Sequence, residues 1–538
     1  MSASCYLITV GVGCAIALVN AGSCASQTLP MTSPSQRAIA QTNLSDYFKQ
    51  PDATVQSVKA IDLIPILAIE LGHTAPNSKI SNSAPSSLDP SPNPLLFPTK
   101  PSEVEIQATQ PITLQQAIEL ARRNNQDLQV AQLELERSRA GLREAEAALF
   151  PTVDLQTDFA GGRSAESELQ IEAQREAQRN LPRQLRQNIP DERTSTSLNA
   201  AVAFNYDIFT GGRRISQIRA AREQVRFNQL EVERLLAQTR LDVSNAYYDL
   251  QQADEQVRIS ESAVRNATRS LQDAQSLFEA GLGTRFDVLR AQVQLARENQ
   301  NLVSARAARQ TARRQLARLL SLSQSIDLSA ADPVAIAGLW NQSLEQSIVL
   351  AFQNRAELQQ QLAQRNISRH QRRIELAARK PQVGVFFNYN LLDVFNDGLG
   401  LADGYSAGAR LRWNLFDGGA ANARARQREA DIAIAETQFA NQRDRVRFQV
   451  EQAYFNLQSN LENIQTASAA LEQATEALRL ARLRFQAGVG TQTEVINSEN
   501  DLTRAEGDRL RAILDYNRAL ASLERAISGS PNLTGIRP

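Results

Sequence analysis

Residues 112–320 of this chain recur as residues 342–527, with their landmarks in the same order. Leu114-Gln-Gln-Ala-Ile118 returns as Leu344-Glu-Gln-Ser-Ile348, Pro151 as Pro381, Phe209-Thr-Gly-Gly212 as Phe416-Asp-Gly-Gly419, Ala246-Tyr-Tyr-Asp-Leu250 as Ala453-Tyr-Phe-Asn-Leu457, and Gly281-Leu-Gly-Thr284 as Gly488-Val-Gly-Thr491. A period this long is no solenoid repeat. It predicts one unit folded twice, repeat 1 over 112–320 and repeat 2 over 342–528, joined by a linker at 321–341 and followed by a tail at 529–538. Pro381 stands 230 residues after Pro151 but Gly488 only 207 after Gly281, so the first copy carries 23 extra residues between Pro151 and Phe209. The polar, charged run 163–193 in that interval reads as a surface excursion or a short helix.

Within each copy the predicted order is helix, strand, strand, very long helix, tight turn, helix. Residues 213–280 contain neither Gly nor Pro. At ~1.5 Å per residue they would reach on the order of 100 Å as one helix. Leu236, Val243, Leu250, Val257, Val264, Leu271 and Phe278 fall every seventh residue, and three positions further on stand Thr239, Ala246, Ala253, Ser260, Ala267 and Ala274. The second copy repeats the scheme with Val450, Leu457, Ile464, Leu471, Leu478 and Phe485 against Ala453, Asn460, Ala467, Ala474 and Ala481. A sustained heptad means coiled-coil packing. One large and one small partner per heptad suits helices wrapped side by side into a tube; a plain antiparallel bundle is the simpler alternative. The helices after the turns, residues 285–320 and 493–527, run back antiparallel.

Four segments have the other periodicity. Residues 153–159, 198–208, 383–389 and 405–415 alternate apolar with polar or small side chains, and the best approach the ~9 to 11 residues of a tilted membrane-crossing strand. Asp154, Gln156, Asn205, Asp207, Arg410, Arg412 and Asn414 make up the polar face, which fits a water-filled lumen. A soluble hairpin with one wet face alternates in the same way. Four strands do not close a barrel, so open edges would be met by other subunits. Phe209-Thr-Gly-Gly212 and Phe416-Asp-Gly-Gly419 stand where a strand must turn sharply into a helix, and consecutive glycines (Gly211 and Gly212, Gly418 and Gly419) allow positive φ there.

Composition excludes several chemistries. The chain has 58 basic and 58 acidic side chains, which argues against nucleic acid as a partner. Its three cysteines, Cys5, Cys14 and Cys24, all lie in the first 24 residues, and its only histidines are His73 and His370. No catalytic residue, metal site or cofactor is expected, because neither a disulfide framework nor a Cys/His ligand set nor a nucleophile–base pair can be built. His370 reads as an ordinary surface side chain. No Walker-type loop is present, so no nucleotide hydrolysis is expected.

Residues 1–25 read as an export signal: Tyr6 to Val19 is apolar, and Ser23-Cys-Ala25 offers small residues at a cleavage site. Cutting before Cys24 with acylation of its thiol is the other reading. No later segment has eighteen consecutive apolar residues, so any membrane role falls to strands or surfaces. Residues 26–111 are rich in Pro, Ser, Asn and Thr and read as a disordered linker; an apolar island at 60–69 is either a docking segment or a sticky patch.

Taken together, these features resemble the TolC family of outer-membrane efflux ducts. The resemblance covers residues 112–527 and rests on the duplicated element order, the Phe-x-Gly-Gly exits at Phe209 and Phe416, and the turns Gly281-Leu-Gly-Thr-Arg-Phe-Asp-Val-Leu289 and Gly488-Val-Gly-Thr-Gln-Thr-Glu-Val-Ile496. It implies an α+β membrane protein: a homotrimer with a twelve-stranded β-barrel in outer-membrane lipid and a long coiled-coil α-barrel in the periplasm. It further implies a periplasmic adaptor docking on the tip turns (Gly281, Gly283, Thr284, Gly488, Gly490 and Thr491) and an inner-membrane transporter of ABC, RND or MFS type. The chain would then be the passive exit duct of a tripartite efflux or type I secretion system. A periplasmic coiled-coil adaptor or scaffold is the alternative. Asp287 and Glu494 match acidic positions that narrow the periplasmic end of such ducts, Asn497 matches a second acidic ring position, and Phe485 and Gly490 match a tyrosine and an arginine that hold the gate shut. Thr284-Arg-Phe-Asp287 and Thr491-Gln-Thr-Glu494 also read as helix capping boxes, and the two roles can coexist.

Overall fold

The computed structural model describes residues 88–527, apart from 91, 92, 94, 96, 107, 164, 187–193, 324 and 396–399. The expected signal at 1–25 with Cys24, the island at 60–69 and the tail at 529–538 lie outside the described residues.

Chain order is α1 (Pro101–Val104), β1 (Ala108–Ile112), α2 (Leu114–Asn124), α3 (Gln126–Ala147), β2 (Thr152–Gly162), α4 (Ala165–Arg179), β3 (Ser195–Phe209), α5 (Arg213–Glu279), α6 (Arg285–Leu319), β4 (Ile326–Ala330), α7 (Leu344–Asn354), α8 (Ala356–Ala377), β5 (Gln382–Val394), β6 (Ala402–Arg412), α9 (Ala420–Gln486) and α10 (Gln492–Ile527). Helix lengths pair off: 11 residues in α2 and α7, 22 in α3 and α8, 67 in α5 and α9, 35 and 36 in α6 and α10. The expected first helix of each copy is in fact two. Asn125 ends α2 in an extended conformation and caps α3 by accepting from Leu128 N at 3.0 Å; Arg355 makes the matching break. Of the extra residues in the first copy, 165–179 form the exposed helix α4.

The heptads are used most fully in the middle of α5 and at both ends of the α9 series, while Phe278 at the end of α5 is exposed. Val243, Leu250 and Val257 are buried in α5, and Thr239, Ala246, Ser260, Ala267 and Ala274 stay buried on the small series. In α9, Val450, Leu457, Leu478 and Phe485 are buried with Ala453 and Ala481. Small side chains at these contacts let α5 lie against α6, α8 and α10, and α9 against α8 and α10, with little steric separation.

All four membrane-strand candidates form strands, and they join one antiparallel sheet in the order β2-β3-β5-β6. Asn205 pairs with Thr152 on one side and Phe386 on the other, which fixes the faces of the sheet. Asp154, Gln156, Asn205, Asp207, Arg410 and Arg412 share one face by this register. Asn414 lies beyond the end of β6, so its assignment to that face is corrected. Val153, Leu155, Phe159, Val202, Phe387, Tyr389, Tyr405 and Leu411 occupy the opposite face and are exposed.

The described parts of the two expected linkers, from residue 88 in the first and over 321–341 in the second, are more ordered than composition implied. From Leu88, which is buried, the chain packs on the helices; Asp89 bonds Arg123 at 3.0 Å. β1, all but its last residue inside the expected 26–111 linker, pairs in parallel with β4, inside the expected 321–341 linker. The pair is held because Ile112 and Leu328 are fully buried and Asp327, 2% exposed, receives Arg314 at 2.8 Å and Arg313 at 3.3 Å. Pro-rich composition lowers the apolar content, but these few side chains find a core already built by α2, α5 and α6. Beyond β4, the Tyr516 hydroxyl donates to Gly338 O at 2.7 Å, and Asn517 bonds both Ala337 N and Ala335 O.

Tyr247 ties these pieces together. Its buried hydroxyl lies 2.8 Å from the Asp332 carboxylate and 3.1 Å from Ile112 O, and accepts from Asp332 N at 3.2 Å. Tyr247→Phe removes that bonding while keeping the ring, so it should destabilise the fold by about 1–2 kcal/mol. A thermal melt followed by helical circular dichroism checks this; an unchanged midpoint would mean that the hydroxyl contributes nothing.

Candidate functional site

Two regions carry the residues singled out from the sequence: the strand-to-helix exits and the helix tips. At the exits Gly211 and Gly212 have φ of 64° and 90°, and Gly418 and Gly419 have 66° and 87°, so the turns use the left-handed conformation that the sequence anticipated. Gly212 and Gly419 occupy the N-cap positions of α5 and α9. The first exit is also tight: a Cβ on Gly211 would come within 2.8 Å of Lys380 Cβ and 3.0 Å of Ala377 O, at the end of α8. A Cβ on Gly418 meets nothing within 4 Å. Phe209 is half-exposed and Phe416 is 86% exposed, with Leu415 and Trp413 beside it also open. Asp417 caps α9 by accepting from Gly419 N at 3.0 Å and Ala421 N at 2.8 Å, and the bond from Ala421 pulls its carboxyl below the usual range.

At the tips the glycines are required for two reasons. Gly281 and Gly488 have φ of 76° and 74°. Gly283 and Gly490 do not, but a Cβ on Gly283 would lie 3.0 Å from Phe278 N, and one on Gly490 would lie 3.0 Å from both Arg484 C and Phe485 N. Both turns close alike, Gly283 N on Leu277 O at 2.9 Å and Gly490 N on Arg484 O at 3.0 Å.

The gate candidates separate. Asp287 completes a reciprocal capping box with Thr284: its backbone N donates to the Thr284 hydroxyl at 3.2 Å and its carboxylate accepts from Thr284 N at 3.2 Å. In the second copy the Thr491 hydroxyl accepts from Glu494 N at 3.2 Å, while the Glu494 carboxylate lies 3.7 Å from Arg484. Asn497 is exposed on the next turn. Phe485 packs with Leu478, Ala481 and Val495.

Side-chain bonds that sequence periodicity did not signal hold the two tips side by side. Arg290 donates to the Thr493 hydroxyl at 2.6 Å, Gln294 to Asn500 at 2.8 Å and Gln492 to the Ser270 hydroxyl at 2.8 Å. Arg482 reaches the buried Glu499 at 2.9 Å, and burial pushes that carboxyl up even so. Polar residues on heptad helices read as solvated faces, so nothing in the spacing marked these. An apolar strip was also missed: Leu282, Phe286, Leu289 and Val293 are exposed at the first tip and Val489 at the second. His370, expected at the surface, is half-buried; burial, then the charges of Arg373 and Arg219, pull its pKa down.

Among the described residues no group of three or more His, Cys, Asp or Glu is placed to hold a metal, and no helix is long and apolar enough to cross a membrane.

The chain as a whole matches known proteins. The sequence profile of the outer membrane efflux protein family fits residues 117–321 and 347–529, which is most of the chain and both of its copies. The chain belongs to the outer membrane efflux protein family. Family membership places it in the outer membrane with its helical part in the periplasm, and sets aside the adaptor or scaffold alternative. The pyoverdine export outer membrane protein OpmQ of Pseudomonas putida is 29% identical over 217 residues, a stretch that spans 39% of this chain and 42% of that protein. The fold is that of the VceC outer membrane protein of Vibrio cholerae (TM-score 0.63, 18% identity, 78% of this chain and 96% of that one). It is equally that of the MtrE outer membrane channel of Neisseria gonorrhoeae (TM-score 0.64, 18% identity, 77% and 89%).

The two glycine requirements differ in what relieves them. Gly488→Asn should be nearly neutral, because Asn tolerates the left-handed region. Gly490→Ala must push backbone aside, and should speed amide exchange over residues 484–495 by about tenfold through local opening. Hydrogen-exchange mass spectrometry of the two variants tests this; equal protection in both would refute the steric reading.

Proposed function

We propose that this chain is one third of a closed exit duct of a tripartite efflux or type I secretion system. Three protomers complete a twelve-stranded barrel in outer-membrane lipid, their helices continue as a tube, and the tips dock on a periplasmic adaptor that links them to an inner-membrane transporter of ABC, RND or MFS type. The observation that carries the reading is the open sheet. Among the described residues β2 and β6 each have a strand neighbour on one side only, and the face bearing Leu155, Phe159, Tyr405 and Leu411 is exposed. Hydrocarbon accepts such a face but not unpaired backbone groups, and only closure satisfies both. With 11, 15, 13 and 11 residues, the strands are long enough to cross.

The duplication supports closure through a second contact. Within the chain the first exit, at Gly211, packs on Ala377 and Lys380 at the end of α8. Ala147 and Phe150 are the corresponding positions at the end of α3, and Phe150 is 71% exposed. The open second exit, with Phe416, would seat there on the next protomer. At the far end, the exposed strip Phe286, Leu289 and Val293 offers the adaptor an apolar surface at helical spacing.

Because no cysteine follows Cys24 in the sequence, Phe150→Cys with Phe416→Cys gives a clean cross-linking pair. Mild oxidation of membranes should yield disulfide-linked dimers and trimers on denaturing gels, and neither single variant should. A detergent particle with the mass of a monomer, together with no cross-linked species, would overturn the trimer.

In such a trimer the acidic first turns at Asp287 and Glu494 converge near one axis, with Asn497 replacing part of that charge. Like charges so placed attract cations. Glu494→Gln removes a carboxylate from the second tip and leaves the Thr491 cap in place. It should assemble normally and lower cation preference in single-channel recordings; unchanged selectivity would leave Glu494 as a partner of Arg484 and nothing more.

A further inference from the structure

About halfway along the helical part, where the end of α10 meets the break between α7 and α8, the structure has a cavity of about 550 Å³ walled by α5, α8, α9 and α10. Its size falls in the ordinary range for small-molecule sites, roughly 300–1,000 Å³. Four arginines line it, Arg234, Arg355, Arg445 and Arg525, against one carboxylate, Glu357. Five amide side chains, among them Gln449, supply the rest of its polar lining.

The charges do not balance locally. Arg234 is answered outside the cavity by Glu231, at 2.6 and 2.8 Å. Arg355 and Arg525 both converge on Glu357, the first through two bonds of 3.0 and 3.1 Å and the second at 2.7 Å. One carboxylate thus serves two guanidiniums. Burial would raise the Glu357 carboxyl, but the charges of Arg355 and Arg525 hold it down at about 2, so it is already fully ionised and has no further charge to give. Arg445 is exposed into the space, and among the described residues no carboxylate lies within ion-pair distance of it; the neighbouring Asp444 is taken by Arg443 at 2.8 Å. The excess is two positive charges in a recess rimmed by hydrogen-bond donors. Arg355, meanwhile, is 4% exposed, and burial works against its charge.

We propose that this recess is a binding site for small molecules carrying two or more carboxylate or phosphate groups, with Arg445 and Arg525 as the principal contacts and the amides of Gln449 and its neighbours as secondary donors. Guanidinium forks match both anions in a bidentate way, and two of them fixed on neighbouring helices select for paired charges over single ones. The arginines come from α5, α9, α10 and the start of α8, so the site exists only in the folded helical wall and not on any one helix. On the duct reading, on which the transport role rests, the recess would give anionic cargo a stopping place between the inner end and the membrane barrel. The binding chemistry itself does not depend on that reading.

The test uses the full chain in detergent at low ionic strength, with pyrophosphate and citrate as probes and acetate as the single-charge control. Calorimetry should show saturable binding of both probes and much weaker binding of acetate. Arg445→Gln should weaken the probes about tenfold and Arg445→Glu further, whereas Arg137→Gln, on the exposed side of α3, should change nothing. Arg445 lies on the surface of α9, so these variants should keep the native melting midpoint, and a thermal scan confirms it. No saturable binding, or equal weakening by Arg137→Gln and Arg445→Gln, would overturn the site. In planar bilayers, pyrophosphate should reduce the native conductance and leave that of Arg445→Glu unaffected. Binding without conductance in any preparation would count against the duct and spare the site; normal conductance without binding would do the reverse.

Discussion

The backbone hydrogen bond at the edge of the β2-β3-β5-β6 sheet is the constraint on which the rest of the structure depends. Among the described residues each outer strand carries a row of N–H and C=O groups with no strand partner, and in hydrocarbon each such group costs several kcal/mol. A soluble four-stranded sheet could leave these edges wet, with charge or Pro to protect them. Here the face beside them is Val, Leu, Phe and Tyr, which water would not favour. On the proposed reading the two requirements are met together only by assembly with further protomers.

Duplication would make the proposed assembly geometrically simple. The β3-β5 ladder joins the first copy to the second within one chain, from Ser197 opposite Val394 to Phe209 opposite Val383, with a bulge after Asp207. A β6-to-β2 ladder between chains needs only the same relation repeated. The same logic applies at the Gly-Gly exits, where the crowded Gly211 shows what the open Gly418 lacks. A single unit used six times around a ring would give such contacts; a chain of unrelated halves would have to evolve each one separately.

Much of this was legible in the sequence because the elements are long and strongly periodic. The heptads located α5 and α9, alternation located the four strands, and paired glycines located both the exits and the tips. The breaks at Asn125 and Arg355 were not legible. Asn125 does cap α3, but Arg355 holds its break through tertiary bonds to Gln449 and Ala526 O, which no local rule anticipates. The β1-β4 pair was hidden for a related reason: each strand sits in a stretch whose composition reads as linker, and only long-range pairing, such as that of Pro111 with Ser329, shows that the two stretches close on each other. For Asp287 and Glu494 the sequence offered a capping role beside a gate role, and the capping geometry differs: Asp287 completes a reciprocal box, whereas at Glu494 only the backbone N–H meets Thr491 and the carboxylate lies by Arg484.

The polar bonds between helices carry a different kind of information from the heptads. A small-residue seam is permissive: Ala246, Ala267 and Ala274 would fit their neighbours nearly as well after a slide of one heptad. Gln294 with Glu298 and Asn500, Gln492 with Ser270, and Arg482 with Glu499 do not survive such a slide, because each would leave a buried polar group unpaired. Glu499 already bears part of that cost, since burial raises its carboxyl and one of its oxygens has no protein partner. Polar layers of this kind stabilise little relative to an apolar seam and instead select one register. Their position near the tips is where register matters most. An error of one heptad at the membrane end is corrected by the strand ladder, whereas at the free end only side chains can hold the two hairpins level.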